Sequence, residues 1–212
     1  MAKRLKSGHV LRIPLLHGWG FAYAKYINVL HIANNNSYPD LIKVYDYHSL
    51  NADEINTAKL TSYLMQPILL AGRLAIMREQ RWQIIGEVPI LSEDEELPDL
   101  RVPEGTIADR MIISHQPRPG ATLYTKNLAL RPYFETALYN VEHLEFLSAY
   151  PYDMIEASIT MCFMLNKGIN PLNYFNLQNP TYSYLFSLYS KRPLANSLPR
   201  QLYGRARQNG KI

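Results

Sequence analysis

The run SEDEELPD, Ser92 to Asp99, places five carboxylates within eight residues. Such a cluster attracts a basic partner and speeds its capture by electrostatic steering. It serves equally well as a charged loop that keeps the surface soluble. As a steering surface, Glu93, Asp94, Glu95 and Glu96 are candidate partner-binding residues. The opposite charge collects at the end of the chain: no Asp or Glu follows Glu156, while Lys167, Lys191, Arg192, Arg200, Arg205, Arg207 and Lys211 do. Tyrosines at 182, 184, 189 and 203 are interleaved with Arg192, Arg200, Arg205 and Arg207. Aromatic faces for bases and guanidinium groups for phosphates would suit a single nucleic-acid strand. The same tyrosines alternate with Leu in YSYLFSLY and read equally as core, with the arginines as a solvated tail. Trp19, flanked by Gly18 and Gly20 in a turn, is either a lid packed over the sheet or an exposed anchor for a partner.

Catalytic chemistry finds less support. The six histidines, at 9, 17, 31, 48, 115 and 143, lack a second ligand at a recurrent metal spacing. Glu142, His143 and Glu145 are too close in sequence to converge from one helix, and a solvated helix face is the simpler reading. His17 has no paired nucleophile and reads as a turn residue. Cys162 lies in the apolar run MCFML, which reads as a small buried residue. No phosphate-cradling or nucleophile-elbow motif occurs. The expectation is a non-enzymatic protein without cofactor or metal.

The chain has 212 residues, 47% hydrophobic and 19% charged, with a formal net charge of +4. That is an ordinary globular composition with room for one good-sized core. Its apolar runs are short of a membrane span. The opening MAKRLK is followed by polar interruptions at His9, Arg12 and His17, so an unprocessed cytoplasmic protein with no membrane contact is expected.

Two apolar, aromatic-rich runs around His17-Gly18, Val10 to Leu15 and Phe21 to Tyr26, predict a β-hairpin. Leu41 to Tyr47, Ile68 to Met77 and Trp82 to Ile85 predict further strands, with weaker candidates at Thr106 to Ser114 and Thr122 to Tyr124. Asn51 to Tyr63 predicts a short helix. Phe134 to Leu147 and Met154 to Phe163 carry helical spacing, divided by Pro151, with Gly168 ending the second helix. Tyr182 to Tyr189 predicts another short helix. Residues past Ser197 are expected to be mobile.

The segments GHVLRIPLLHGWGFAYAKYI, LIKVYDY, QPILLAGRLA and RWQIIGEVPIL, with the acidic, Pro-containing stretch behind them, resemble the immunity protein 26 family of bacterial polymorphic-toxin systems. The motif positions are Gly8, Ile13-Pro14-Leu15, Gly18, Gly20, Phe21, Tyr23, Trp82, Ile85-Gly86 and Pro89, and Ile155-Glu156 matches the family's helical end. The resemblance spans about residues 3 to 165. It implies a protein that binds a cognate protein toxin. On that reading the acidic loop Glu93 to Glu96 would steer toward a basic toxin such as a nuclease, and Trp19 would be either a packed lid or an anchor in the contact. A small nucleic-acid-binding module using Arg192, Arg200, Arg205 and Arg207 is the alternative. The expected architecture is α+β: an N-terminal antiparallel sheet curled into a small barrel, with C-terminal helices packed on it. Residues 3–166 form an immunity-like domain, and 167–212 a basic extension rich in Asn, Tyr and Pro.

Overall fold

The computed structural model of the chain describes residues 5–33, 39–52, 55–72, 78–103, 118–128 and 132–207. Strands β1 (His9–Pro14) and β2 (Phe21–Ile27) form the expected antiparallel hairpin. Its connection is tight: His17, Gly18 and Gly20 all take positive φ. Gly20 is the most constrained of these, because a Cβ there would lie 2.0 Å from the Ser49 carbonyl oxygen. Strand β3 (Asp40–Ser49) pairs with β2, with an irregular register between Ala22 and Ala24. Strand β4 (Ile68–Leu70) adds to β3, and β5 (Gln83–Glu87) adds to β1. A smaller antiparallel sheet contains β6 (Leu100–Arg101), β7 (Ala121–Thr125) and β8 (Tyr133–Ala137). Strand β9 (Ala149–Tyr150) returns to the first sheet, parallel to β4, giving the order β5-β1-β2-β3-β4-β9.

The class is α+β, as expected. The large sheet is open between β5 and β9, so the expected barrel does not form. A helix covers the inner face in place of the sheet's own return. Helix α1 (Val29–Ala33) and helix α2 (Ser92–Glu95) are short; α3 (Tyr152–Asn166) and α4 (Pro180–Tyr189) are the substantial ones. Every residue of α3 from Ile155 to Met164 is buried. A helix buried on every side lies between two layers. One layer is the sheet, through Leu11, Ile13, Ala22, Ala24, Ile42 and Val44; the other is the C-terminal segment, through Phe175, Leu185 and Tyr189, all in one core cluster. Residues after Gly168 therefore complete the core that the N-terminal strands begin. The end of α3 is sealed by Gly168, at φ +69, with Gly168 N–H bonding Leu165 O and Ile169 N–H bonding Met164 O. This pair of bonds satisfies carbonyls that the helix would otherwise leave open.

Several expectations are overturned. Among the described residues of the span Asn51 to Tyr63, where a helix is expected, the helical structure is one turn of 3-10 helix at Thr57–Lys59; residues 53–54 lie outside the described residues. Tyr63 instead bridges to β3 and stacks on Tyr45 at 5.3 Å, so tertiary pairing overrides the local pattern. The helix expected from Phe134 is β8 followed by a 3-10 turn, Leu138–Asn140. Pairing with β7 sets Phe134 opposite Tyr124, a contact unavailable to a helix. The strand expected over Ile68 to Met77 ends at Leu70, and residues 73–77 and the candidate over Thr106 to Ser114 lie outside the described residues. Residues 198–207, expected to be mobile, are hydrogen-bonded to the body.

Gly20→Ala places its Cβ against backbone in a left-handed conformation and should cost more than 2 kcal/mol, roughly, since strain of about 1–3 kcal/mol adds to the clash. Gly18→Ala, at φ +75 with open space around its Cβ, should cost only about 1 kcal/mol of strain. Thermal unfolding of both variants checks the difference; equal midpoints would contradict the close approach at Gly20.

Candidate functional site

On the outer face of the large sheet, Lys25 of β2 stands opposite Lys43 of β3, and both are buried. Like charges directly across a strand pair destabilise it. The conflict is relieved by Asp94, which is fully buried and accepts from both ammonium groups, that of Lys43 at 2.8 Å. Asp94 also accepts from the Leu91 N–H at 2.9 Å, closing the first turn of α2. Lys25 donates further to the Pro89 carbonyl at 2.6 Å, and Lys43 to that of Glu93 at 3.0 Å. Burial by itself would raise the Asp94 carboxyl, but the hydrogen bonds from Lys25, Lys43 and Leu91 outweigh it and hold the group below its ordinary value. Burial is also the main cause that lowers the Lys43 ammonium, against the pull of Asp94. The segment from Pro89 to Glu95 is thereby clamped to the sheet.

This arrangement corrects the role of the acidic loop. Asp94 lies beneath the surface and cannot meet a partner. Glu93 pairs with Arg200 at 2.9 Å, and Glu96 with Arg205 at 2.6 Å. Glu95 is exposed and has no cationic partner among the described residues. The basic end is corrected by the same contacts, because acidic loop and basic end are two sides of one clasp. Arg205 also donates to Leu97 O and Asn127 Oδ1, while Arg207 lies over the Tyr139 ring at 4.2 Å and pairs with Glu142. The backbone follows: Gly204 N–H donates to Gln66 Oε1, Ala206 N–H to Asp99 Oδ2, and Gly204 O accepts from Asp99 N–H. Tyr203 stacks on Tyr63 at 4.4 Å. Arg192 is separate from the clasp, buried at 2.5 Å from the equally buried Glu145. Residues 198–207 thus form a strap across the body, and two hollows flank it. One, of about 320 Å³, opens between Lys43, Tyr63, Asn196 and Tyr203. The other, about 1190 Å³, lies between the strap and the small sheet, lined by Glu95, Asp99, Lys126 and Arg207 among others.

The remaining candidates make the following contacts. Trp19 is half-buried against the core, 6.1 Å from the His48 ring and under the Lys167 ammonium at 5.4 Å. His17 meets the Phe175 ring edge-on at 4.6 Å. His143 belongs to no helix face: it is buried, its Nε2–H donates to Arg205 O at 2.8 Å, and burial lowers its pKa. Burial pushes the Cys162 thiol well up, which disfavours a nucleophilic thiolate. Among the described residues, no group of three or more His, Cys, Asp or Glu is placed to hold a metal ion, and no helix is long and apolar enough to cross a membrane. Glu156, a sequence motif residue, accepts from Trp82 Nε1 at 2.8 Å and from Arg81 at 2.6 and 2.7 Å, tying α3 to the chain entering β5. Sequence reasoning missed Lys25 and Lys43. Their signal was present as single charges inside AYAKYI and LIKVYDY, where apolar alternation leaves them on a covered face.

Residues 6–106 match the Immunity protein 26 family. The family inferred from the motifs is the family found. Its match takes in the β1–β5 strands, the lysine pair and the acidic loop, and stops before α3 and the strap, short of the span to residue 165 that the motifs suggested. No curated protein and no solved structure matches the chain. The family is one of immunity proteins of toxin systems, whose general partner is a cognate toxin.

Asp94→Asn should cost roughly 3–5 kcal/mol at neutral pH, because it leaves two buried ammonium groups without their counter-charge. The Asp94 contribution is complete above the unfolded carboxyl value of about 3.9 and is lost as pH falls through the lower folded value. Urea denaturation at pH 7 and below pH 4 should therefore show a steeper acid loss in the wild type than in the variant. Should the variant fail to fold, the triple change Lys25→Met, Lys43→Met, Asp94→Leu should recover folding; an unchanged urea midpoint for Asp94→Asn would contradict the clamp. Trp19→Ala should lower stability by about 2 kcal/mol, below the range for fully buried Trp. Unchanged stability with loss of partner binding would make Trp19 a contact residue instead.

Proposed function

We propose that the protein neutralises a cognate bacterial toxin by direct, non-catalytic binding in the cytoplasm. The observation that carries this reading is the Immunity protein 26 match over residues 6–106. The chemistry of the side chains supports it. Asp94 and Glu145 are paired with buried cations, Glu156 with Trp82 and the exposed Arg81, the Cys162 thiol is buried, and His17 and His143 contact Phe175 and the Arg205 carbonyl. A rigid body whose buried charges are paired with one another can cover a toxin's working surface without chemistry of its own. A nuclease is the toxin class favoured by an acidic rim, because a surface that meets nucleic acid is basic. The nucleic-acid-binding reading is not adopted: Arg192 is buried, and Arg200, Arg205 and Arg207 are engaged by Glu93, Glu96, Asp99 and Glu142, which phosphates would have to displace.

The test is rescue. The product of the neighbouring gene is expressed in a host cell with and without this protein, and the two are then co-purified. Rescue with a stable complex is expected. Rescue without a complex would point to an enzyme acting on the toxin's product or target. A harmless neighbour that forms no complex would overturn the reading.

A further inference from the structure

The segment clamped by the lysine pair carries the feature that deepens this reading. Among the described residues Ile90 and Leu91 are consecutive and exposed, at 39% and 48%. Large apolar side chains left in water on a rigid backbone mark an interaction surface more often than scattered ones do. Leu138 and Tyr139 form a similar pair, but the Arg207 guanidinium covers the Tyr139 ring. Among the described residues no cation covers Ile90 or Leu91 in this way, and their backbone is held from below by Lys25 at Pro89 and by Asp94 at Leu91. Such pre-organisation lowers the ordering cost of association.

Charge surrounds the pair on two sides. Glu87 Cγ and Ile90 Cδ1 both approach the position above Gly8 where a Cβ would sit, at 3.6 and 3.5 Å, so the Glu87 carboxylate stem lies beside Ile90. Glu95 follows Leu91 by one turn at the end of α2. Both carboxylates are exposed, and neither has a cationic partner among the described residues, whereas Glu93 and Glu96 are taken up by the strap. All four positions fall within residues 6–106, the stretch that matches the family. We propose that Ile90 and Leu91, flanked by Glu87 and Glu95, form the docking surface for the toxin, which meets them with an apolar patch bordered by Lys or Arg. The inference rests on the toxin-binding function proposed above. The apolar pair supplies residence time and the carboxylates supply the rate of encounter.

The experiment uses the full chain and the toxin recovered by rescue, with binding kinetics followed at two salt concentrations. Ile90→Ser with Leu91→Ser should leave thermal unfolding nearly unchanged, as exposed substitutions do, and raise the off-rate about tenfold or more, equal to about 1.4 kcal/mol of affinity. Glu87→Gln with Glu95→Gln should slow association at low salt and flatten its salt dependence. Leu172→Ser, on another part of the surface, should change neither. A wild-type complex that both double variants reproduce unchanged overturns this surface and leaves the binding function standing. Absence of any complex with the wild type overturns both. Wild-type dimers in light scattering that become monomers in Ile90→Ser/Leu91→Ser would make a second copy of this chain the occupant, and would overturn the proposal as well.

Discussion

Two ammonium groups face each other across β2 and β3 in the covered half of the sheet, and one carboxylate reconciles them. Much else depends on that contact. The carboxylate comes from a segment about fifty residues beyond Lys43, so neutralising the lysines draws the chain from Pro89 to Glu95 down onto the sheet. With Asp94 consumed, its neighbours Glu93 and Glu96 point to the outside, where the strap arrives and pairs with them. Removing any one member of such a set costs more than the whole set contributes, because the survivors are left charged and unpaired in a poor solvent.

The same device recurs on the inner side. Glu156 on α3 accepts from Trp82 and Arg81, while Glu145 faces the Arg192 guanidinium and accepts from Tyr189. Each pair joins segments far apart in the chain: helix to sheet edge, or the β8–β9 connection to the end of α4. Apolar packing around Ile155, Ile159 and Phe163 tolerates small sliding, whereas a buried carboxylate with named donors does not. These contacts therefore set how the layers register against each other.

For the toxin-binding function proposed above, this economy has a consequence. A side chain committed to an internal partner is unavailable for chemistry or for a ligand, which narrows the surface open to a toxin. What is left uncommitted around the clamped segment is small, apolar and acidic at its edges. It is also presented without flexible backbone, the property that rapid and lasting capture of a partner requires.

Much of the architecture was legible in the residues alone. The β1–β2 hairpin followed from the aromatic runs and the Gly turn, α3 from the spacing of Met154, Ile155, Ile159 and Phe163, and its end from Gly168, because each depends on neighbours within a few residues. The family followed from glycines and short motifs whose purpose is local, such as Gly20 under the Ser49 carbonyl. The open sheet, β8 in place of a helix and the extended path into Tyr63 depended on pairing with distant strands, which no local period reports. Charge deceived in the same way. The acidic loop and the basic end each looked like a free surface, and only tertiary structure brought them together, since Coulomb attraction and burial depend on distance in space and not on position in the sequence. Sequence determined which side chains could be charged; the fold alone decided which of them still face a partner.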